Sequence, residues 1–169
     1  RHLRFMLLFS PRWLFLYPGL ALMLAGCTAI ALLVRGPVQI GGVFFDVHTL
    51  LFAAFAVLIG FQAVSFAALG KFFAIHAGLR APEERFEKLL RAATLETGLI
   101  AGALLALAGL ALSAGAVWIW GRHGFGNLSP QAMLRLVIPG ALALTLGCQI
   151  ALTSLFLGVL RLDTREDRH

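Results

Sequence analysis

Residues 97–120 read TGLIAGALLALAGLALSAGAVWIW, a run without one charged side chain. A helix needs roughly 20 apolar residues to cross about 30 Å of hydrocarbon, so this run is long enough to span a membrane. Three further apolar runs of comparable length occur in the sequence. The predicted spanning helices are residues 13–34, 49–79 with the span ending near 70, 97–120 and 130–162. We therefore predict an all-α membrane protein, a bundle of four transmembrane helices with additional cytoplasmic interfacial helices.

The composition of the chain excludes most other classes of protein. Of its 169 residues, 60% are hydrophobic and 13% are charged, and the mean hydropathy is +0.89. Soluble domains are about 45–50% apolar and about 25% charged, and disordered chains are more polar still. The net charge of +6 comes from basic residues at the ends of the apolar runs. This placement favours contact with anionic membrane lipids and argues against a nucleic-acid partner.

Lysine and arginine residues are distributed unequally between the two ends of the predicted helices. Cytoplasmic connections of membrane proteins carry an excess of these residues. Eleven of the fourteen precede the first span, lie between the second and third, or follow the fourth, whereas Arg35, Arg122 and Arg135 lie at the opposite end. The sequence therefore predicts a multi-pass protein with both termini in the cytoplasm.

Two segments outside the spans are amphipathic. Residues 82–94 carry apolar side chains at helical spacing and charged side chains between them, so we predict an interfacial helix there. Its apolar stripe consists of Phe86, Leu89, Leu90 and Ala93. Residues 1–12 are predicted to form a basic juxtamembrane segment. Because the first residue is Arg1 rather than Met, we expect the chain to be a fragment of a longer protein.

Small residues at four-residue spacing predict close contacts between helices. Gly98, Gly102 and Ala106 form such a row on the third helix, and Gly70, Ala74 and Gly78 form another at the end of the second. Rows of this kind let two helix backbones approach closely in lipid. Packing within one bundle is the favoured interpretation, and a homo-oligomer that uses the same face is the alternative.

The chain lacks the residue patterns of catalysis and of metal binding. Asp46 and His48 lie close together, but two potential ligands do not define a metal site, and a polar helix start explains them better. Cys27 and Cys148 lie at mid-membrane depth without a CxxC pair, and both are interpreted as small core residues. No acidic or basic residue lies near the middle of a span, which disfavours a channel or pump. We expect no catalytic residue, no metal ligand and no cofactor in this chain.

Several stretches resemble the membrane region of prokaryotic family-two glycosyltransferases, enzymes similar to dolichol-phosphate or polyprenyl-phosphate mannose and glucose synthases. The stretches are RHLRF at residues 1–5, SPRWLFLYPG at 10–19, FDVHTLLFA at 45–53 and GFQ at 60–62. The resemblance covers essentially the whole chain. It implies a prokaryotic cell (inner) membrane as the location.

The resemblance also implies a function for this region and a catalytic domain that lies outside it. In that family a cytoplasmic catalytic domain precedes the spans and transfers a sugar from a nucleotide donor to a polyprenyl phosphate. The membrane region anchors that domain, supports oligomerisation and presents the lipid acceptor. The divalent metal and its aspartate ligands belong to the catalytic domain, so this chain alone should transfer nothing.

Basic residues at the cytoplasmic ends of the first two spans are the candidate contacts for the phosphate of the lipid. This basic collar consists of Arg1, Arg4, Arg12, Lys71, His76 and Arg80. Arg12 is the strongest candidate, because Ser10 and Pro11 predict a helix start whose free N–H groups also favour an anion. The simpler interpretation is that these residues only set the topology. Two other functions remain open: a small flippase or transporter subunit for lipid-linked sugars, and a structural accessory subunit of a membrane complex.

Overall fold

A computed structural model describes residues 12–76, 95–124 and 129–166 of the chain, with side chains described for 13–75, 95–124 and 129–160. The described part is helical apart from one short hairpin, and four of its helices are long and apolar enough to cross a membrane. The predicted fold class is therefore confirmed. The elements are a π-helical turn Arg12–Leu16, α1 Tyr17–Leu33, β1 Val38–Ile40, β2 Val43–Phe45, α2 Val47–His76, α3 Leu95–Arg122 and α4 Pro130–Glu166. The predicted interfacial helix at 82–94 and residues 1–11 lie outside the described residues.

The lengths of the helices match the thickness of a bilayer. The π-helical turn and α1 together provide a span of 21 residues, Trp13–Leu33. At 1.5 Å per residue, such a span is about 30 Å long, which equals the hydrocarbon core of a typical membrane. The other three spans contain 28 to 31 residues, so they can cross with some tilt or extend beyond the hydrocarbon.

Proline residues occur where these helices tolerate them. Pro18 lies in the first turn of α1, directly after the π-helical turn Arg12–Leu16. Pro139 lies inside α4 and removes one backbone hydrogen bond there. Such interruptions are accepted in membrane helices because neighbouring helices and local adjustments satisfy the freed carbonyl group.

The four helices form two antiparallel pairs. The first pair is α1 with α2 and the second is α3 with α4, and the two pairs meet mainly through α2 and α4. The order across the protein is therefore α1, α2, α4, α3. The main cluster of buried side chains lies where the two pairs meet, towards the end that carries the α1–α2 connection. It consists of Leu33, Leu50, Ala54 and Ile138.

The outer surface of the helices is apolar. Large side chains that a soluble protein would bury are exposed on every helix, as Leu24, Phe52, Leu104 and Leu152 illustrate. A helix that is hydrophobic all round must be covered by protein or by lipid. The exposed apolar surface is therefore the surface that a membrane would cover.

A two-stranded antiparallel hairpin forms the connection between α1 and α2. Val38 pairs with Phe45 and Ile40 pairs with Val43, which leaves Gly41 and Gly42 as a two-residue turn. Turns of this length favour positive φ at both positions, and the two glycines have φ values of 58° and 83°. The sequence analysis did not predict this hairpin.

Candidate functional site

The structure places the described members of the basic collar at one end of the α1–α2 pair. Arg12 is the first described residue and begins the π-helical turn, which packs against α2 as well as α1. Lys71 lies in the last turns of α2 and His76 is its final residue. Arg1, Arg4 and Arg80 lie outside the described residues. Because α1 and α2 are antiparallel, the start of one and the end of the other share the same membrane boundary.

Lys71 is the collar residue whose side chain the structure describes. It is only 9% exposed, and the neighbouring Phe72 is also buried, whereas Phe73 faces outward. Lysine is rarely so buried in proteins, so most of the Lys71 side chain is covered by the protein. A cation held in this way differs from one that extends freely into the head groups.

The predicted row Gly98, Gly102 and Ala106 lies at the contact between α3 and α4. A Cβ built on Gly102 would lie 2.7 Å from the carbonyl oxygen of Gly147, and one on Gly147 would lie 2.5 Å from the backbone nitrogen of Ala106. A Cβ on Gly98 would collide with the hydroxyl of Ser154. These contacts are too short for any real Cβ, so the two backbones are as close as glycine permits.

The same interface continues along α3 at a spacing that the sequence analysis missed. The buried residues of α3 are Gly102, Gly109 and Ala116, each seven positions from the next. Gly109 lies against the backbone of Gly140 and Leu144. A seven-residue repeat keeps one face of a helix against its partner along a left-handed crossing, the common geometry of membrane bundles.

The α1–α2 pair uses an equivalent contact that the sequence analysis also missed. Gly19 and Gly26, again seven residues apart, are buried on α1. A Cβ on Gly60 would lie 2.5 Å from the carbonyl oxygen of Gly19, and a Cβ on Gly26 would lie 2.6 Å from that of Ala53. By contrast, no atom of the described residues lies within 4 Å of a Cβ built on Gly70. The expectation that Gly70 lies in a close helix contact is therefore wrong for the part of the chain that the structure describes.

The opposite end of the helices carries an ion pair and aromatic side chains. Arg135 of α4 donates a hydrogen bond of 2.5 Å to Asp46, the residue before α2. The guanidinium of Arg122 lies 5.0 Å from the centre of the Trp118 ring, and Trp120 follows on the same helix end. Tryptophan is enriched at membrane–water interfaces, so these residues indicate the level at which α3 leaves the hydrocarbon.

Polar side chains within the spans bind their own helices. The hydroxyls of Thr28, Ser113 and Thr145 each donate to the carbonyl four residues earlier. The described residues contain no group of three or more His, Cys, Asp or Glu side chains that could hold a metal ion. They offer no set of ligands for the divalent metal that the resemblance implies.

Comparison with known proteins identifies the family. Residues 68–161, from the final turns of α2 to the C-terminal part of α4, match the glycosyltransferase family 2 C-terminal transmembrane region. The chain belongs to this family. Over 162 residues, or 95% of its length, it is 33% identical to the low-salt glycan biosynthesis hexosyltransferase Agl6 of Haloferax volcanii. The chain covers 38% of that protein. No solved structure matches it.

The family match confirms the resemblance that the sequence indicated. The chain is the transmembrane region of a family-2 glycosyltransferase and a multi-pass membrane protein. The orientation that the distribution of lysine and arginine predicts stays a prediction.

Proposed function

We propose that this membrane region holds a polyprenyl phosphate beside the catalytic domain of a glycosyltransferase, which transfers a sugar to it from a nucleotide donor. The observation that supports this proposal most strongly is the match of residues 68–161 to the family. The relative in Haloferax volcanii is named as a hexosyltransferase of glycan biosynthesis, which agrees with sugar transfer. Catalysis itself is assigned to residues of the full-length enzyme outside this chain.

The basic collar gives this region a physical means of holding the acceptor. A polyprenyl phosphate keeps its isoprenoid chain in the hydrocarbon and its phosphate at the level of the head groups. Each lysine or arginine near that level contributes about 1 kcal/mol of attraction to an anionic lipid. Arg12 at the start of the first helix and Lys71 near the end of α2 lie at that boundary in the predicted orientation. Arg12 can stabilise the phosphate while the acceptor stays in the membrane, and the buried Lys71 adds positive charge at the same level.

The proposal accounts for the apolar surface of the region as well. The exposed side chains of α1 and α2, among them Leu24 and Phe52, offer lipid-facing surface along which an isoprenoid chain can lie. Contact of this kind is not sequence-specific, because lipid tails and aliphatic side chains are equally apolar. We therefore assign recognition of the acceptor to its phosphate and not to its tail.

Reconstitution of the full-length enzyme tests this function. Proteoliposomes are supplied with a radiolabelled nucleotide sugar and with either a polyprenyl phosphate or the matching polyprenol that lacks the phosphate. We expect label in the organic phase only with the phosphorylated lipid. Transfer to water-soluble acceptors with no lipid-linked product would contradict the proposal.

A further inference from the structure

The hairpin between α1 and α2 has an apolar tip that the rest of the protein leaves uncovered. In an antiparallel hairpin, paired residues lie on the same face, so Val38, Ile40, Val43 and Phe45 share one face. Val38 and Phe45, at the base, pack against the buried cluster of the helices. Ile40 and Val43 continue the same face outward and are 62% and 56% exposed, and Phe44 on the other face is 70% exposed.

The base of the hairpin is fixed to the helices. Val38 and Phe45 contact the cluster that contains Leu33 of α1 and Leu50 of α2. Asp46, which follows β2 directly, is held by Arg135 of α4. At the other end of the hairpin, Gly41 and Gly42 join the strands in a tight turn without additional loop residues. The exposed tip is therefore held in one place and is not a loose loop.

The hairpin lies at the level where the membrane ends. A span of 21 residues, about 30 Å of helix, ends at Leu33, and the first strand begins at Val38. A strand of three residues is about 10 Å long and the interfacial layer of each leaflet is roughly 5–7 Å thick, so the tip stays within that layer when the hairpin is inclined to the membrane normal. The exposed Trp118 and Trp120 lie at the same end of the helices. The exposed apolar tip thus lies at the same end of the spans as these interfacial aromatic side chains.

We propose that the tip of this hairpin, formed by Ile40, Val43 and Phe44, inserts among the head groups and upper acyl chains of the leaflet at this end of the helices. The partner is the lipid surface itself. Insertion removes three large apolar side chains from water and fixes the α1–α2 connection to the interface. The proposal depends on the membrane assignment and not on the function proposed for the basic collar.

Site-specific fluorescence in nanodiscs tests this inference. The full-length protein, with Cys27, Cys148 and any other cysteines replaced by alanine, carries one cysteine labelled with an environment-sensitive dye. Ile40→Cys and Phe44→Cys report on the tip. Two separate positions are used so that a label that disturbs the hairpin at one of them can be recognised. Ser129→Cys is the matched control, because Ser129 is an exposed polar residue in the other connection at the same end. Quenching is measured with nitroxide lipids labelled near the head group and with aqueous iodide.

We expect the nitroxide lipids to quench both tip labels at least about twice as strongly as the Ser129 label, and iodide to show the reverse order. Equal quenching of tip and control labels by iodide would show that the tip stands in water and would overturn the proposal. Shielding of the tip labels from both quenchers, with a disulfide between two copies in the unlabelled Ile40→Cys variant, would assign the tip to a protein interface. That result would overturn it too.

Discussion

Arg135 donates a hydrogen bond to Asp46 across 2.5 Å, although 89 positions separate the two residues in the sequence. Asp46 directly precedes α2, and Arg135 lies in the second turn of α4. The side chain of Arg135 is 21% exposed and that of Asp46 is 33% exposed, so water reaches the pair only in part. The ion pair joins the two antiparallel helix pairs at the end where the buried cluster also lies.

Breaking this ion pair should loosen the contact between the two helix pairs. We expect Asp46→Asn and Arg135→Gln each to lower the melting temperature of the protein in detergent. The coupling energy in a double-mutant cycle should be about 1 kcal/mol, at the upper end of the range for exposed pairs and below that for buried ones. Arg122→Gln is the matched control, since Arg122 lies on an exposed helix end. Strictly additive effects would show that the pair contributes nothing.

The contact of Gly102 with Gly147 predicts a strong response to added volume. Gly102→Leu should lower the melting temperature, because its Cβ alone would lie 2.7 Å from a backbone oxygen and the α3–α4 pair would have to separate. Overpacking of this kind costs about 1–3 kcal/mol. Gly115→Leu is the control on the same helix, since nothing lies within 4 Å of a Cβ there. Leu104→Ala, at an outward-facing position, should have less effect than Gly102→Leu. Equal losses from Gly102→Leu and Gly115→Leu would place the α3–α4 interface elsewhere.

Two substitutions on α2 test the close contact between α1 and α2. Gly60→Val should destabilise the protein, because a Cβ at Gly60 would lie 2.5 Å from the carbonyl oxygen of Gly19. Gly70→Val should be tolerated, because Gly70 is exposed and no described residue lies close to its added Cβ. Thermal unfolding in detergent measures both. If Gly70→Val lowers the melting temperature more than Gly60→Val does, this end of α2 packs against another copy in solution.

The spanning helices were predictable from the sequence, because the length of an apolar run is enough to identify a span. Four apolar runs of about 20 residues or more have no alternative to spanning helices, and the structure has four such helices. The hairpin was missed although Val38-Gln39-Ile40 and Val43-Phe44-Phe45 flank a Gly-Gly pair, a known hairpin signal. In a membrane protein with long helices, a Gly-rich connection of this length was interpreted only as a loop.

The helix contacts were predictable only in part. A search at four-residue spacing found Gly98, Gly102 and Ala106, and it also selected Gly70, which the structure leaves in open space. The contacts of α1 with α2 follow seven-residue spacing instead, so Gly19 and Gly26 were passed over. Glycine on a membrane helix does not by itself indicate which neighbour it faces. That depends on the order of the helices, which one sequence does not specify.

The predicted orientation can be tested directly in intact cells. We expect a membrane-impermeant thiol reagent to label Ser129→Cys and to leave Glu84→Cys unlabelled, in a protein whose other cysteines are replaced by alanine. The physical reason is the excess of lysine and arginine before the first span, between the second and third, and after the fourth. Labelling of both positions after the membrane is permeabilised is the control. The reverse pattern in intact cells would place the basic collar outside.

The central claim is that the basic collar holds the phosphate of the lipid acceptor, and the KM for polyprenyl phosphate tests it most directly. The comparison is between Arg12→Gln and Arg122→Gln in the full-length enzyme, since Arg122 is equally basic but lies at the other end of its span. Loss of about 1 kcal/mol of attraction corresponds to a change of about fivefold. We predict that Arg12→Gln raises the KM about fivefold with kcat nearly unchanged, and that Arg122→Gln changes neither. An unchanged KM in Arg12→Gln would contradict the account and leave the collar as a topology signal.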